Sequence, residues 1–365
     1  MKNIFTLLAL TIGFSMNAQF WFQGTGSNAI QTINATNATA SGDFSVAMGY
    51  VTTASGDFST AMGLFTTASG NSSTAMGRST TASGNSSTAM GRSTTASGNS
   101  STAMGRSTTA SGNSSTAMGR STTASGNSST AMGRSTTASG NSSTAMGRST
   151  TASGNSSTAM GRSTTASGDF STAMGNFTTA SGNFSTAMGR YTTASDYGSL
   201  VIGHYNSSGS SATSATSFDT ANTAFVIGNG TDSSNTSDAF KVMFNGDATV
   251  GNDLTVEGDV VINSDMRLKA NILSLGSTLY KLLQIDGKTY TMKRDATKKQ
   301  KIGLLAQDIE KVFPELVVEN KGIKSVNYQG LVPVLINALK EQDGKMKEQE
   351  KRLERLEAII SNMDK

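Results

Sequence analysis

The segment Asn-Ser-Ser-Thr-Ala-Met-Gly-Arg-Ser-Thr-Thr-Ala-Ser-Gly occurs seven times without change from Asn71 to Gly168. A fixed period over that distance predicts a solenoid, because each unit can bury its side chains only against its neighbours. Diverged copies flank the identical ones. The methionine of an Ala-Met-Gly signature stands at 48, 62, 76, 90, 104, 118, 132, 146, 160, 174 and 188, and Ile202-Gly203 continues the register. Within the unit Ala-x-Gly recurs after seven residues, as Ala75-Met76-Gly77 and Ala82-Ser83-Gly84. Two short strands and two tight turns per coil are therefore expected, with glycine supplying positive φ at the corners and alanine letting coils approach. The methionines are expected as an internal ladder, since an exposed stripe of that length would be an unusually long apolar patch. A subunit interface is the competing placement.

Without the period, the composition would read as disorder: 36% of residues are hydrophobic and 15% charged. The chain has no cysteine and one histidine, His204. That excludes a disulfide framework, a thiolate metal site and a His-based zinc site, and neither metal nor cofactor is expected. Aromatic residues occur only in the outer copies, at Phe44, Phe58, Phe65, Phe170, Phe177, Phe184 and Tyr191, where the central copies carry serine. Capping of the solenoid ends is their plainer reading, with a ligand site as the alternative. The arginines at 78, 92, 106, 120, 134, 148, 162 and 190 form a basic stripe. It suits either a solvated face or an anionic glycan or polymer on a host or environmental surface.

Residues 1–18 have Lys2, an apolar run from Ile4 to Phe14 and a small residue at Ala18. They read as a signal peptide cleaved after Ala18, and the run is too short to span a bilayer. An exported protein is expected, secreted or at the cell surface, with no transmembrane anchor of its own and no nucleic-acid partner. Residues 19–35 are expected to cap the first coil, and Gly24-x-Gly26-x-x-Ala29 lacks the βαβ context of a dinucleotide fingerprint.

Ser73-Thr74-Ala75-Met76-Gly77, with Ala82 and Gly84 seven residues on, resembles the head repeat of YadA-like trimeric autotransporter adhesins. The resemblance covers about residues 36–205. It implies a left-handed parallel β-roll with three chains side by side. Those adhesins end in a membrane-embedded β-barrel segment, whereas this chain ends in a charged helix.

From 206 to 263 strand and turn signals replace the repeat, as in Ala239–Phe244 before Asn245-Gly246-Asp247. Seven acids against one lysine, Lys241, make this connector acidic. Asp247, Asp253 and Asp259 do not have the spacing of a calcium loop, and hairpin chemistry accounts for Asn-Gly-Asp. At Ser264 the composition shifts to lysine, arginine and leucine, and both prolines lie beyond it. Ser264-Asp265-Met266-Arg267-Leu268-Lys269, then Gly303-Leu304-Leu305-Ala306-Gln307, Val312-Phe313-Pro314-Glu315 and Tyr328, closely resemble the endosialidase-type intramolecular chaperone of phage tail spikes and fibres. The resemblance implies that Ser264 attacks the bond joining it to Asn263, with Lys269 as general base. A lysine serves as a base near neutral pH only when burial or neighbouring cations favour its neutral form. Asp265 and Arg267 are placed to orient the pair, and a local ion pair is an equally good reading. On the short motif alone, Ser264 also fits a helix N-cap.

From about residue 331 the spacing predicts a helix with a heptad seam. Leu339, Met346, Leu353 and Ile360 fall at a, and Leu335, Gln342, Gln349, Leu356 and Met363 at d. Lys345 and Arg352 at g face Glu350 and Glu357 at e. The seam alone suits two or three strands, and the trimeric head motif decides for three. The expected fold is thus mainly β: a trimeric parallel β-roll, a β-rich neck, and an α+β chaperone domain (264–365) ending in a parallel trimeric coiled coil. The expected function is that of an exported homotrimeric fibre or adhesin whose C-terminal domain folds it and cleaves itself off in a single turnover. No activity on other substrates is expected, for no paired carboxylates, metal cluster or triad appears. A phage-derived receptor-binding tail fibre and an ice- or polymer-binding solenoid are the rivals.

Overall fold

The computed structural model describes residues 21–32, 37–207, 214–293, 297–320 and 322–363. The expected signal peptide lies outside the described residues. The chain divides into two compact units, one ending at Val256 and the other beginning at Glu257, a few residues before the compositional break at Ser264.

The first unit is a parallel β-solenoid of about 12 coils. Each central coil has a longer and a shorter strand, as in Thr74–Arg78 and Thr81–Ala82. Every strand pairs in parallel with its counterpart in the next coil: Thr74 with Thr88, Met76 with Met90, Arg78 with Arg92, Thr81 with Thr95. One sequence repeat is therefore one turn, and each position of the repeat becomes a column along the solenoid.

The interior is built from small residues. Ala75 and Ala82 are fully buried, and Ser73 and Thr80 with them, in coil after coil. A Cβ on Gly84 would lie 2.0 Å from the carbonyl oxygen of Gly98, so close approach of backbones fixes that glycine column. The Gly77 column adds a φ of 124°. The left-handed corner residues, however, are Ser72 and Ser79 (φ 55° and 54°), and Phe or Tyr in most of the diverged copies. Glycine is thus not the corner residue expected. Each corner N–H still bonds to the preceding coil, Ser86 to the Asn71 carbonyl at 2.7 Å and Ser93 to that of Arg78 at 2.8 Å, which offsets the cost of the conformation.

The methionines are not inside. Along Thr74–Arg78 only Ala75 is buried, while Thr74 and Met76 are half-buried. Successive strand residues face opposite sides, and a core this tight has no room for methionine. The internal ladder is therefore overturned, and the methionine column lies on the outer face.

Three exterior columns reinforce the stack, one of asparagine and two of aromatic residues. Asn71 N–H donates to Asn85 Oδ1 at 3.2 Å, and the same bond recurs down to Asn155, which donates to Asp169 Oδ1 at 2.8 Å. The outer aromatic rings lie face to face: Phe44 on Phe58 with centroids 5.2 Å apart, Phe170 on Phe184 at 4.9 Å, Phe177 on Tyr191 at 4.6 Å, Tyr191 on Tyr205 at 4.5 Å. Arg162 and Arg190 lie over Phe177 and Tyr191, each 5.6 Å from the ring centre. Each of these rings stacks on a ring of the neighbouring coil, so the columns act as clasps at the solenoid ends, while Phe44, Phe58 and Phe170 stay more than half exposed.

At the N-terminal end a hairpin of Trp21–Gln23 and Ile30–Thr32 covers the first coil, Ile30 and Gln31 pairing with Val46 and Ala47. At the other end Asp196 occupies a column that is glycine in preceding coils, and its Oδ2 accepts from Thr223 N–H at 2.8 Å. The Asn206 amide accepts from Thr193 N–H at 2.7 Å and donates to its carbonyl at 3.0 Å, taking the place of one more coil's backbone at an open strand edge. Thr223–Asn229 then rejoins the stack, Ile227 beside Ile202 and Gly228 beside Gly203. The coil register thus reappears beyond the point where the repeat motif ends. Antiparallel strands Asp238–Met243 and Ala248–Val250 follow, joined at Asn245-Gly246-Asp247, where Asp247 N–H donates to Asn245 Oδ1 at 2.9 Å.

In the second unit, α1 (Leu279–Leu282), α2 (Ala306–Val312) and α3 (Leu331–Met363) accompany two hairpins, Lys288–Thr291 with Gln300–Gly303 and Val317–Asn320 with Ile323–Val326. Ile309, Phe313, Leu316, Leu331 and Val334 form the core. Tyr328 Oη accepts from Leu304 N–H at 2.9 Å and ties the Gly303-Leu304-Leu305 run to the start of α3. The apolar heptad positions are bare: Leu339 is 71% exposed, Leu353 57% and Ile360 58%.

Candidate active site

The site lies at the start of the second unit. Ser264 precedes a single 3-10 turn, Met266–Leu268, whose N-cap is Asp265 rather than Ser264. The Asp265 carboxylate accepts from Arg267 N–H at 2.8 Å and takes the guanidinium at 2.6–3.1 Å. The Arg267 side chain beside it, and then the Arg267 N–H, hold the Asp265 carboxyl below its ordinary value, and Asp265 in turn raises that of Arg267. This exposed local pair closes the turn. The chain is thereby folded back, and Lys269 Nζ reaches Ser264 Oγ at 2.6 Å, donating to it. With a neutral amine the same contact runs the other way, the hydroxyl donating to nitrogen.

Sequence spacing alone left Ser264 and Lys269 as residues five apart, and the structure brings them into contact. Both are exposed. Next to them in the chain Val261, Ile262, Met266 and Leu268 are 85%, 58%, 73% and 72% exposed, apolar side chains left uncovered by the described residues. His204 is exposed at the end of the strand Leu200–His204, in the first unit. Sequence reasoning missed Asn337 and Glu341 on α3. Asn337 Nδ2 donates to the Gly276 carbonyl at 3.3 Å, and Glu341 accepts from Ser277 Oγ at 2.7 Å, from Thr278 N–H and from Leu279 N–H at 3.3 Å. Heptad positions were read for the seam only, and these two lie on another face.

Two protein families match this chain. Residues 36–206 match the YadA head domain repeat in successive copies, and residues 264–318 match the chaperone of endosialidase. The chain is therefore similar to YadA head repeats over one stretch and to an endosialidase-type chaperone over a later one. It is also similar to the long tail fiber protein Gp37 of Escherichia phage AR1, 33% identical over 92 residues, which is 23% of this chain and 8% of that protein. With Gp37 of Salmonella phage S16 it is 29% identical over 117 residues, 29% of this chain and 16% of that protein. The matched stretches thus cover less than a fifth of either relative. Among the described residues no helix is long and apolar enough to cross a membrane.

Proposed function

We propose that this chain is an exported, homotrimeric, tail-fibre-like adhesin whose C-terminal unit aligns three chains, guides their folding and then releases itself by cutting between Asn263 and Ser264. The observation that carries the reading is the 2.6 Å contact of Lys269 Nζ with Ser264 Oγ at the first residues of the chaperone match. In its neutral form Lys269 takes the hydroxyl proton as Ser264 Oγ attacks the Asn263 carbonyl carbon. The C–N bond breaks, the Ser264 nitrogen takes that proton, and Asn263 is held as an ester on Oγ. Water then hydrolyses the ester, giving an Asn263 carboxylate and a free Ser264 hydroxyl.

Three observations support coupling this reaction to assembly. A neutral lysine near pH 7 needs desolvation, and in the single chain the pair is exposed. The bare apolar side chains beside it supply a surface for a second copy to cover. The a and d positions of α3 are bare in the same way and suit a parallel three-stranded coil. In the head, the half-buried methionine column is placed to pack between neighbouring rolls, and the arginine column faces outward to meet an anionic glycan. The organisation proposed is a cap at 19–35, a head at 36–205, a neck at 206–263 and a self-removing chaperone from 264. The likeness to phage tail fibres favours adhesion over ice binding, and so does the placement of Thr80 inside and Thr81 outside the roll, which separates these two threonine ranks.

Expression of the chain followed by a denaturing gel tests this. Wild type should yield the fragment Ser264–Lys365, and Ser264→Ala and Lys269→Ala should both abolish it while the trimer persists. A fragment starting at any other residue, or normal processing of Lys269→Ala, overturns the assignment.

A further inference from the structure

Helix α3 has a second functional face. Val334, Asn337 and Glu341 follow one another at intervals of three and four, and so share a face that carries none of the a and d residues. That face grips the segment 276–279. The Gly276 carbonyl takes Asn337, Thr278 Oγ1 donates to the Val334 carbonyl at 2.9 Å, and the Glu341 carboxylate gathers the Ser277 hydroxyl and the N–H groups of Thr278 and Leu279. Thr278 is 1% exposed, so the grip is buried at its centre. The Ser277 hydroxyl first, then the Thr278 N–H, hold the Glu341 carboxyl below its ordinary value.

The α1 backbone needs part of this, since a helix start leaves N–H groups without intrahelical partners. But α1 has only four residues and its N-cap Thr278 makes no side-chain cap, so the cap is supplied by another helix more than sixty residues away in sequence. The anchored segment begins seven residues after Lys269. Residues 270–275 between them have no strand or helix, and Ile272, Leu273 and Leu275 are exposed. Gly276–Leu279 is thus where the chain following the reactive turn is fixed to the seam helix.

We propose that Glu341, with Asn337, is a positioning residue for self-cleavage. Its carboxylate fastens the chain behind the Ser264–Lys269 turn to the helix that assembles, so that joining three α3 helices by their seam also sets the reactive turns against the copies that must cover them. This rests on the self-cleavage reading above.

The test uses the full chain, with the oligomeric state measured by light scattering and the cleavage rate followed on gels. Glu341→Ala removes all three acceptor contacts. Glu341→Gln keeps an oxygen for the N–H groups and an amide for the Ser277 hydroxyl. The expected result is trimeric Glu341→Ala cut roughly 10- to 100-fold more slowly, the range set by small misplacements of reacting groups. Glu341→Gln should be restored to within about twofold of wild type, and Asn337→Ala should fall between. A trimeric Glu341→Ala cut at the wild-type rate overturns the proposal, as does a Glu341→Gln as slow as Glu341→Ala. If Glu341→Ala no longer trimerises, the Gln and Asn337→Ala variants decide: wild-type rates in both overturn the positioning role. A wild-type trimer that stays uncut is a different failure, which removes the self-cleavage reading itself.

Discussion

The buried hydroxyls of the head pose a question of residue chemistry. Ser73 and Thr80 and their counterparts are fully buried, and their side-chain oxygens have no hydrogen-bond partner among the described residues. A buried hydroxyl left unpaired costs about 1–3 kcal/mol, while valine has nearly the shape of threonine and carries no hydroxyl to satisfy. Thr108→Val and Thr122→Val should therefore raise the melting temperature of the head, by up to about 1 kcal/mol in stability each. A lower melting temperature in thermal denaturation would mean that these hydroxyls are bonded in the folded protein. Residues of this kind mark what was legible. Ser264 and Lys269 stood out because a rare motif carries them, and the structure adds their contact. Ser73 and Thr80 did not stand out, because serine and threonine occur on both sides of the strand, and strand parity within a repeat of small residues is not visible in composition. The methionines misled for a related reason. Apolar character suggested the interior, but in a coil with Ala75 and Ala82 facing each other and Gly84 packed on Gly98, size decides and not hydrophobicity.

For elements, the period determined nearly everything about the head and little about the second unit. The 14-residue repeat fixed one coil per unit, two strands per coil and the columns. The ends are another matter, for Asp196 and Asn206 act by replacing a missing coil, which no periodicity announces. Because identical coils contact only identical neighbours, deletion of residues 99–112 should leave a folded head with one coil fewer. Deletion of residues 99–105 instead would set the longer strand Thr88–Arg92 beside the shorter strand Thr109–Ala110 and bring Arg106 into the column meant for Asn99 and Ser111 into that of the methionines. Circular dichroism and protease resistance should be preserved by the first deletion and lost in the second. Equal resistance of both would mean that the two half-coils are interchangeable. In the C-terminal unit the heptad seam was legible because its apolar residues are not consumed by the chain's own core, whereas the opposite face, carrying Asn337 and Glu341, looked like ordinary helix surface. Leu353→Asp with Leu356→Asp places carboxylates in the seam and should yield an uncut, non-trimeric chain. Efficient cutting of a demonstrated monomer would separate cleavage from assembly.

For the molecule as a whole, seven identical coils pose a problem of register for the proposed trimer. If three chains pair side by side, a shift of one chain by a single coil keeps every central column matched, methionine beside methionine and arginine beside arginine. The penalty for such a slip falls only on the diverged ends, where the aromatic clasps and the Asp196 and Asn206 cap would be out of place. Parallel pairing between distant segments is slow, and register is weakly specified where neighbouring choices are alike. In the proposed assembly, an alignment imposed from α3, whose Gln342 and Gln349 interrupt the apolar seam at fixed places, would precede head closure and remove the degeneracy. If it is cut as proposed, the head would retain its coil-to-coil hydrogen bonds but lose the element proposed to align it, so its persistence would become a matter of unfolding rate. The released trimer should therefore resist heat and detergent yet recover poorly after complete melting, while the uncut Ser264→Ala trimer should recover a larger fraction of native trimer under the same dilution. Native gels after a melt-and-cool cycle, with chain concentration held equal, provide the comparison. Equal and efficient recovery of both forms would mean that the diverged ends suffice to set the register, and the C-terminal unit would then have no folding role to play in this chain.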